Sequence, residues 1–182
     1  DNSIYRAALV QKGRTHNYLG KYHESETQLL RAVKLVKKAE GETSLNLVEP
    51  LREVANLYGN TGDQMNVLKH LIRIRRLHLH HNMRDSIESL RNRLAISAAY
   101  RMVGDHEKSL QAALNVEKII GERSFTPLII SNQNLRHLAE TLLLLERHDE
   151  ALKYCHEESL AIAAAPPLSG PSGRHALHSL EG

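Results

Sequence analysis

Chemistry in a chain of 182 residues has to come from a few side-chain types, and the histidines stand out first. There are twelve His and a single Cys, Cys155. His78 and His81 lie three apart, which on a helix puts two imidazoles on one face, a spacing that suits a shared transition metal. No His-Glu-x-x-His pattern or neighbouring Cys completes such a site. His78, His80 and His81 therefore read, with Arg73, Arg75 and Arg76, as a solvated basic helix end, where cations suit the negative end of the dipole. Gly59-Asn60-Thr61-Gly62 lacks the Lys and the spacing of a phosphate-binding loop. No Ser, Cys or Lys has an activating neighbourhood, and Cys155 reads as a small packing residue of a helix. The expectation is a protein that is not an enzyme, with no catalytic residue, no metal site and no cofactor.

A second cluster is cationic. Between Lys69 and Arg93 seven Lys/Arg (Lys69, Arg73, Arg75, Arg76, Arg84, Arg91 and Arg93) stand against two acids, Asp85 and Glu88. Such density attracts phosphates. The net charge of the whole chain is only +3, and no aromatic interleaves the cluster to stack on bases. An acidic protein surface fits the patch better than nucleic acid does.

These groups need elements to hold them, and the composition bounds what those are. A lone Cys excludes an intrachain disulfide framework and fits a reducing, cytoplasmic compartment. No apolar run approaches the ~18–20 residues that span a bilayer. The chain opens on Asp1 without an apolar leader and reads as a fragment or processed chain. Hydrophobic residues at 41% and charged residues at 25% are ordinary for a folded domain.

Self-similarity fixes the organisation. Four short turns begin at Gly20, Gly62, Gly104 and Glu146, each 42 residues after the last. Apolar residues recur three or four apart on both sides of each turn, as in Leu51, Val54, Ala55 and Tyr58 before one and Val67, Leu68, Leu71 and Ile74 after it. Sustained alternation, the signature of strands, is missing. The pattern predicts helices at 3–18 and 22–39, 46–60 and 63–81, 86–102 and 105–121, and 127–145 and 148–163. Small residues sit seven before each turn, at Gly13, Ala55, Ser97 and Ala139, where they let paired helices approach. Asp63, Asp105 and Asp149 lie at helix starts, and Thr126 before Pro127 reads as a cap with proline in the first turn. Gly41 and Gly121 suit left-handed helix ends. Beyond the array at 3–163, the Pro/Gly/Ser-rich stretch 164–182 reads as a linker or tail.

The small residues at Gly13, Ala55, Ser97 and Ala139, the bulky or aromatic residue three later, the turn glycines and the small Ser25, Ser109 and Ala151 opening the second helices resemble the tetratricopeptide-repeat family. The usual period there is ~34 residues; the 42-residue form looks like the longer variants of kinesin light chains and G-protein-signalling-modulator scaffolds. HEAT and armadillo repeats share the longer period and are the structural alternative. Glu146 in place of the turn glycine, Val67 in place of a small residue and Lys12 in an apolar slot depart from the pattern.

The resemblance implies an all-α solenoid of about four antiparallel helix-turn-helix repeats in a right-handed superhelix, with first helices lining a concave groove. It nominates Gln11, Arg14 and Asn17, then Arg52, Asn56 and Asn60, then Arg91 and Arg101, and finally Gln133, Arg136, His137 and Glu140 as groove residues. Asn and Gln can pair with an extended backbone and Arg can grip carboxylates. The implied function is a scaffold that binds an extended or helical, acidic peptide segment of a protein partner. Arg52 and Asn56 resemble the start of a carboxylate clamp, which Ala95 and Ala98 then interrupt. The competing role is structural, as an inner section of a larger solenoid. Self-association through an uncapped end stays open, because the last predicted helix keeps apolar Leu152, Leu160 and Ile162.

Overall fold

A computed structural model describes residues 3–123 and 126–163 of the chain. They form α1 (Ser3–Tyr18), α2 (Tyr22–Glu40), α3 (Val48–Asn60), α4 (Gln64–His80), α5 (Ile87–Met102), α6 (His106–Gly121), α7 (Leu128–Leu144) and α8 (His148–Ala163). Among the described residues there is no strand. The largest difference from the predicted bounds lies before α3. There Ser44 accepts a bond from the Asn46 N–H at 3.1 Å and starts a 3-10 turn, Leu45–Leu47, that delays the α-helix. The 164–182 segment lies outside the described residues.

Side-chain size explains why the helices pair. A Cβ placed on Gly13 would lie 2.6 Å from Cγ of Leu29, so α1 and α2 approach as closely as glycine allows. In the third unit Ser97 and Ser109 occupy the equivalent positions and bond across the pair. Ser97 Oγ donates to the Ser109 carbonyl at 3.0 Å, and Ser109 Oγ donates to the Ser97 carbonyl at 2.9 Å. Val67, opposite Ala55, is accommodated in the core rather than excluded from it. Around these contacts Leu29, Leu51, Leu57, Ile74, Leu90, Ile96, Leu138 and Leu142 are fully buried. Fully burying each such side chain contributes about 1.5–3 kcal/mol.

Turn chemistry follows the register. Gly20, Gly62 and Gly104 have φ of +70°, +80° and +81°, and Glu146 takes the same left-handed conformation at +58°. Asp63 and Asp105 then cap α4 and α6, accepting from the N–H groups of Asn66 (3.1 Å) and Lys108 (3.2 Å). Two expected signals are not used. Pro127 itself occupies the cap position of α7, its carbonyl accepting from the Ile130 N–H at 2.9 Å, and the Thr126 hydroxyl has no hydrogen-bond partner among the described residues. Gly121 remains the last residue of α6, which leaves through a right-handed Glu122, so no glycine conformation is required there.

The units stack with a curve. First helices of neighbouring units meet, α1 with α3 and α5 with α7, whereas among the described residues no two second helices approach each other. The first helices therefore form the inner layer. One junction breaks the rule: α3 and α5 make no such approach, and the inner layer opens between the second and third units.

Candidate functional site

That opening is a cleft of about 440 Å³. Asn56 and Asn60 of α3 form one wall and Ala95, Ala98 and Met102 of α5 the other, with Val67 and Leu71 of α4 beneath and Arg14, Asn17 and Tyr18 of α1 at one end. The repeat explains the space. Ala95 and Ala98 stand at the positions that hold Glu53 and Asn56 one unit earlier. The alanines that interrupt the expected clamp therefore make room. Asn56 is exposed, and its carboxamide has no partner among the described residues. Asn60 donates through Nδ2 to Oδ1 of Asn17 at 3.0 Å. Asn17 is 7% exposed, so this bond fixes the Asn60 carboxamide from below. Two amide side chains, one free and one held, offer donors and acceptors matched to a peptide backbone.

The arginines behave differently from the expectation that they stand free. Arg14 donates through Nη2 to Glu53 at 2.8 Å and also pairs with Glu49. The hydrogen bond it donates to Glu53, first among several influences, lifts its guanidinium above the ordinary range. Arg52 crosses the α3–α5 opening to Glu88 at 2.7 Å and reaches Glu49 at 3.4 Å. Arg101 of α5 pairs with Glu140 of α7. Apart from Arg52–Glu49, which lies within α3, each bridge joins the first helix of one unit to that of the next. The result is a ladder of opposite charges along the inner layer rather than a cationic surface. The exposed pairs among them contribute about 0–1 kcal/mol each, whereas Arg14 answers the carboxylate of a buried Glu53.

The remaining nominated residues disperse. Gln11 lines a separate pocket of about 240 Å³ with Ser3, Arg6 and Glu49. Arg91 is exposed beside Glu88 at 3.2 Å, and Gln133 is exposed without a hydrogen bond among the described residues. Arg136 is directed to its own hairpin, donating to Glu158 of α8 at 2.9 Å. His137 is half-buried, and desolvation holds its imidazole below the usual range. Four nominated residues thus share one cleft: Arg14, Asn17, Asn56 and Asn60. Tyr18 and Met102 were not nominated, yet they are 82% and 65% exposed at its rim. The signal for them was the register, since 18, 60 and 102 are equivalent positions.

Two readings of single residues are corrected. His78 is not part of a solvated end; it is 1% exposed, on the α4 face that packs inward. His81 Nε2 lies 2.7 Å from the Thr43 carbonyl, so the two rings do not present a joint pair. Among the described residues no group of three His, Cys, Asp or Glu is placed to hold a metal. Cys155 does not pack: it is exposed, and among the described residues α8 has one neighbouring helix, α7.

Fold and register define the class: an α-solenoid of tetratricopeptide-like helical hairpins. The structure is similar to the nearly identical TPR-like repeats of a kinesin light chain candidate from Podosopora anserina, with a TM-score of 0.71 and 16% identity over 91% of this chain and 79% of that one. BtubC (BKLC) from P. vanneervenii aligns with a TM-score of 0.80 and 11% identity, covering 93% of this chain and 70% of its own. The apo form of RapI aligns at 0.73 and 15%, over 88% of this chain and 57% of RapI. At such identities the likeness establishes the fold. No family model matches the sequence, and no curated protein does. No helix among the described residues is long and apolar enough to cross a membrane.

Proposed function

We infer that the chain is a non-catalytic interaction scaffold that captures an extended peptide segment of a protein partner in the cleft between α3 and α5. The observation that carries this reading is the gap itself, about 440 Å³ walled by a free Asn56, a held Asn60 and three small or flexible side chains of α5. The carboxamides bond the ligand backbone, and Tyr18 and Met102 cover apolar side chains at the rim. The arginine ladder changes the expected partner. With Arg14, Arg52 and Arg101 already paired, acidity contributes little, and the ligand is an uncharged, partly apolar segment. The ladder's role is to hold the walls in place, so that binding does not have to order them. A cytoplasmic setting belongs to the same reading, since an exposed thiol persists where disulfides are reduced.

The test is a random peptide library selected on the full chain, followed by two variants. Asn56→Ala removes the free carboxamide, and Ala98→Phe fills the cleft. Both should keep the helical circular dichroism spectrum, and affinity should fall about tenfold for Asn56→Ala, equivalent to one lost hydrogen bond to a desolvated group. Peptides that bind both variants undiminished would remove the cleft from the account.

A second reading, end-on stacking in a longer assembly, rests on a separate observation. Leu152 and Leu160 of α8, two turns apart on one side of the helix, are 66% and 56% exposed, an apolar surface of the kind by which inner units bind the next.

A further inference from the structure

The outer side of the same junction holds a second site, and its features are opposite to those of the cleft. Between α4 and α6, which do not approach each other, a pocket of about 190 Å³ is floored by Ile96 and Tyr100 of α5 and flanked by Lys108, Gln111 and Asn115 of α6, the Lys108 ammonium being paired with Asp105 at 2.5 Å. Arg75 of α4 and Arg93 of α5 also line it. Most cations of the basic run are satisfied or fully solvated: Arg73 pairs with Glu42, Arg91 with Glu88, Arg84 with Asp85, and Lys69 and Arg76 stand in open solvent. Arg75 and Arg93 are neither. Both are half-buried, neither has an ion-pair partner among the described residues, and the Nε of each is shielded from solvent without a hydrogen bond. Desolvation, followed by the like charges of Arg75 and Arg84, depresses the Arg93 guanidinium, and only Asp85 opposes them. Two half-buried guanidinium groups lining one pocket, neither with an ion-pair partner among the described residues, are costly to keep in a protein wall. They offer a planar fork of N–H donors matched to an oxyanion.

We propose that Arg75 and Arg93 form a binding site for a phosphomonoester dianion on the outer face, with Gln111 and Asn115 contacting whatever carries the phosphoryl group. A dianion cancels both charges at once, which a single carboxylate cannot do. The pocket accommodates one phosphoryl group with a small substituent, and no aromatic other than Tyr100 lines it for base stacking. The site lies on the other side of α5 from the cleft, so it stands or falls independently of the peptide reading.

Calorimetric titration of the full chain at constant ionic strength tests it, with inorganic phosphate, free O-phosphoserine and a phosphoserine peptide as probes and chloride as the control anion. All three phosphates should bind, and Arg93→Gln and Arg75→Gln should each weaken them at least tenfold, the loss of one charge-assisted bond of about 1.4 kcal/mol. Arg93→Gln should unfold at the same or a higher temperature than the parent without phosphate, which separates loss of binding from loss of fold. Inorganic phosphate binding as tightly as the peptide would identify a free phosphate compound as the ligand; tighter peptide binding would identify a phosphorylated side chain of a partner. The proposal is overturned if none of the three produces heat, if Arg76→Gln on the exposed side of α4 causes an equal loss, or if a random oligonucleotide outcompetes the phosphopeptide.

Discussion

Three imidazoles are placed to make folding less favourable in acid, and single side chains also show where sequence reading runs short. His70, His78 and His137 are all held below the ordinary imidazole range, in each case first by desolvation and then by nearby cations. For His78 the neighbours are Arg52 and Arg93, opposed by Glu88. In the unfolded chain these imidazoles return to about 6.5. Above about pH 7 both states are neutral and nothing is lost. As the pH falls through 6.5 the unfolded chain takes up protons that the folded chain refuses, so stability declines towards the depressed folded values. Urea unfolding at pH 8, 7, 6 and 5.5 should show the midpoint falling below pH 7, and His78→Leu should flatten that fall; an equally steep decline in the variant would show that His78 is not a source. The inward position of His78 was legible in the spacing, since it extends the buried stripe Leu71 and Ile74 by one turn, but the polar types of Arg76, His80 and His81 around it drew the reading of a solvated end. The free carboxamide of Asn56 was legible; the pairing of the arginines was not. Arg52 and Glu88 are 36 residues apart, and only the stacking of two units brings them within 2.7 Å.

At the scale of elements, the 42-residue register determined nearly everything, because helix length, turn position and close approach all repeat with it. Its exception is informative. Glu146 occupies the slot of Gly20, Gly62 and Gly104 and adopts their left-handed conformation at φ +58°. A residue with a Cβ bears a cost of roughly 1–2 kcal/mol there, partly offset by the greater entropy glycine loses on folding. Glu146→Gly should therefore stabilise the chain by about 0.5–1 kcal/mol, read as a higher urea midpoint with an unchanged slope. An unchanged or lower midpoint would mean that the Glu146 side chain makes a compensating contact. The misread positions share a pattern of suitable residue type in an unsuitable setting. Thr126, Gly121 and Cys155 carry residue types that suit a cap, a left-handed end and a packing slot, but the backbone around the first two satisfied itself otherwise, and Cys155 stands on a helix with one neighbour among the described residues.

Over the whole molecule, the curve of the stack follows from which helices touch, and the site follows from where they do not. Contact between α1 and α3 and between α5 and α7 closes the inner layer on both sides of a single opening. Ala95 and Ala98 keep it open, the Arg52–Glu88 bridge spans it, and Arg75 and Arg93 mark the reverse side of the same junction. One junction of the solenoid thus carries both candidate surfaces, and the rest of the array holds it in shape. That the sequence showed a solenoid but not this junction is a matter of range: periodicity reports on neighbours within a hairpin, while a gap between units depends on the sizes of residues some 40 positions apart. The most direct measurement is an amide and side-chain chemical-shift map of the full chain with a library-selected peptide. The account predicts that the largest shifts fall on Asn56, Asn60, Ala95, Ala98 and Met102. Shifts confined to the outer faces of α2, α4, α6 and α8 would contradict it.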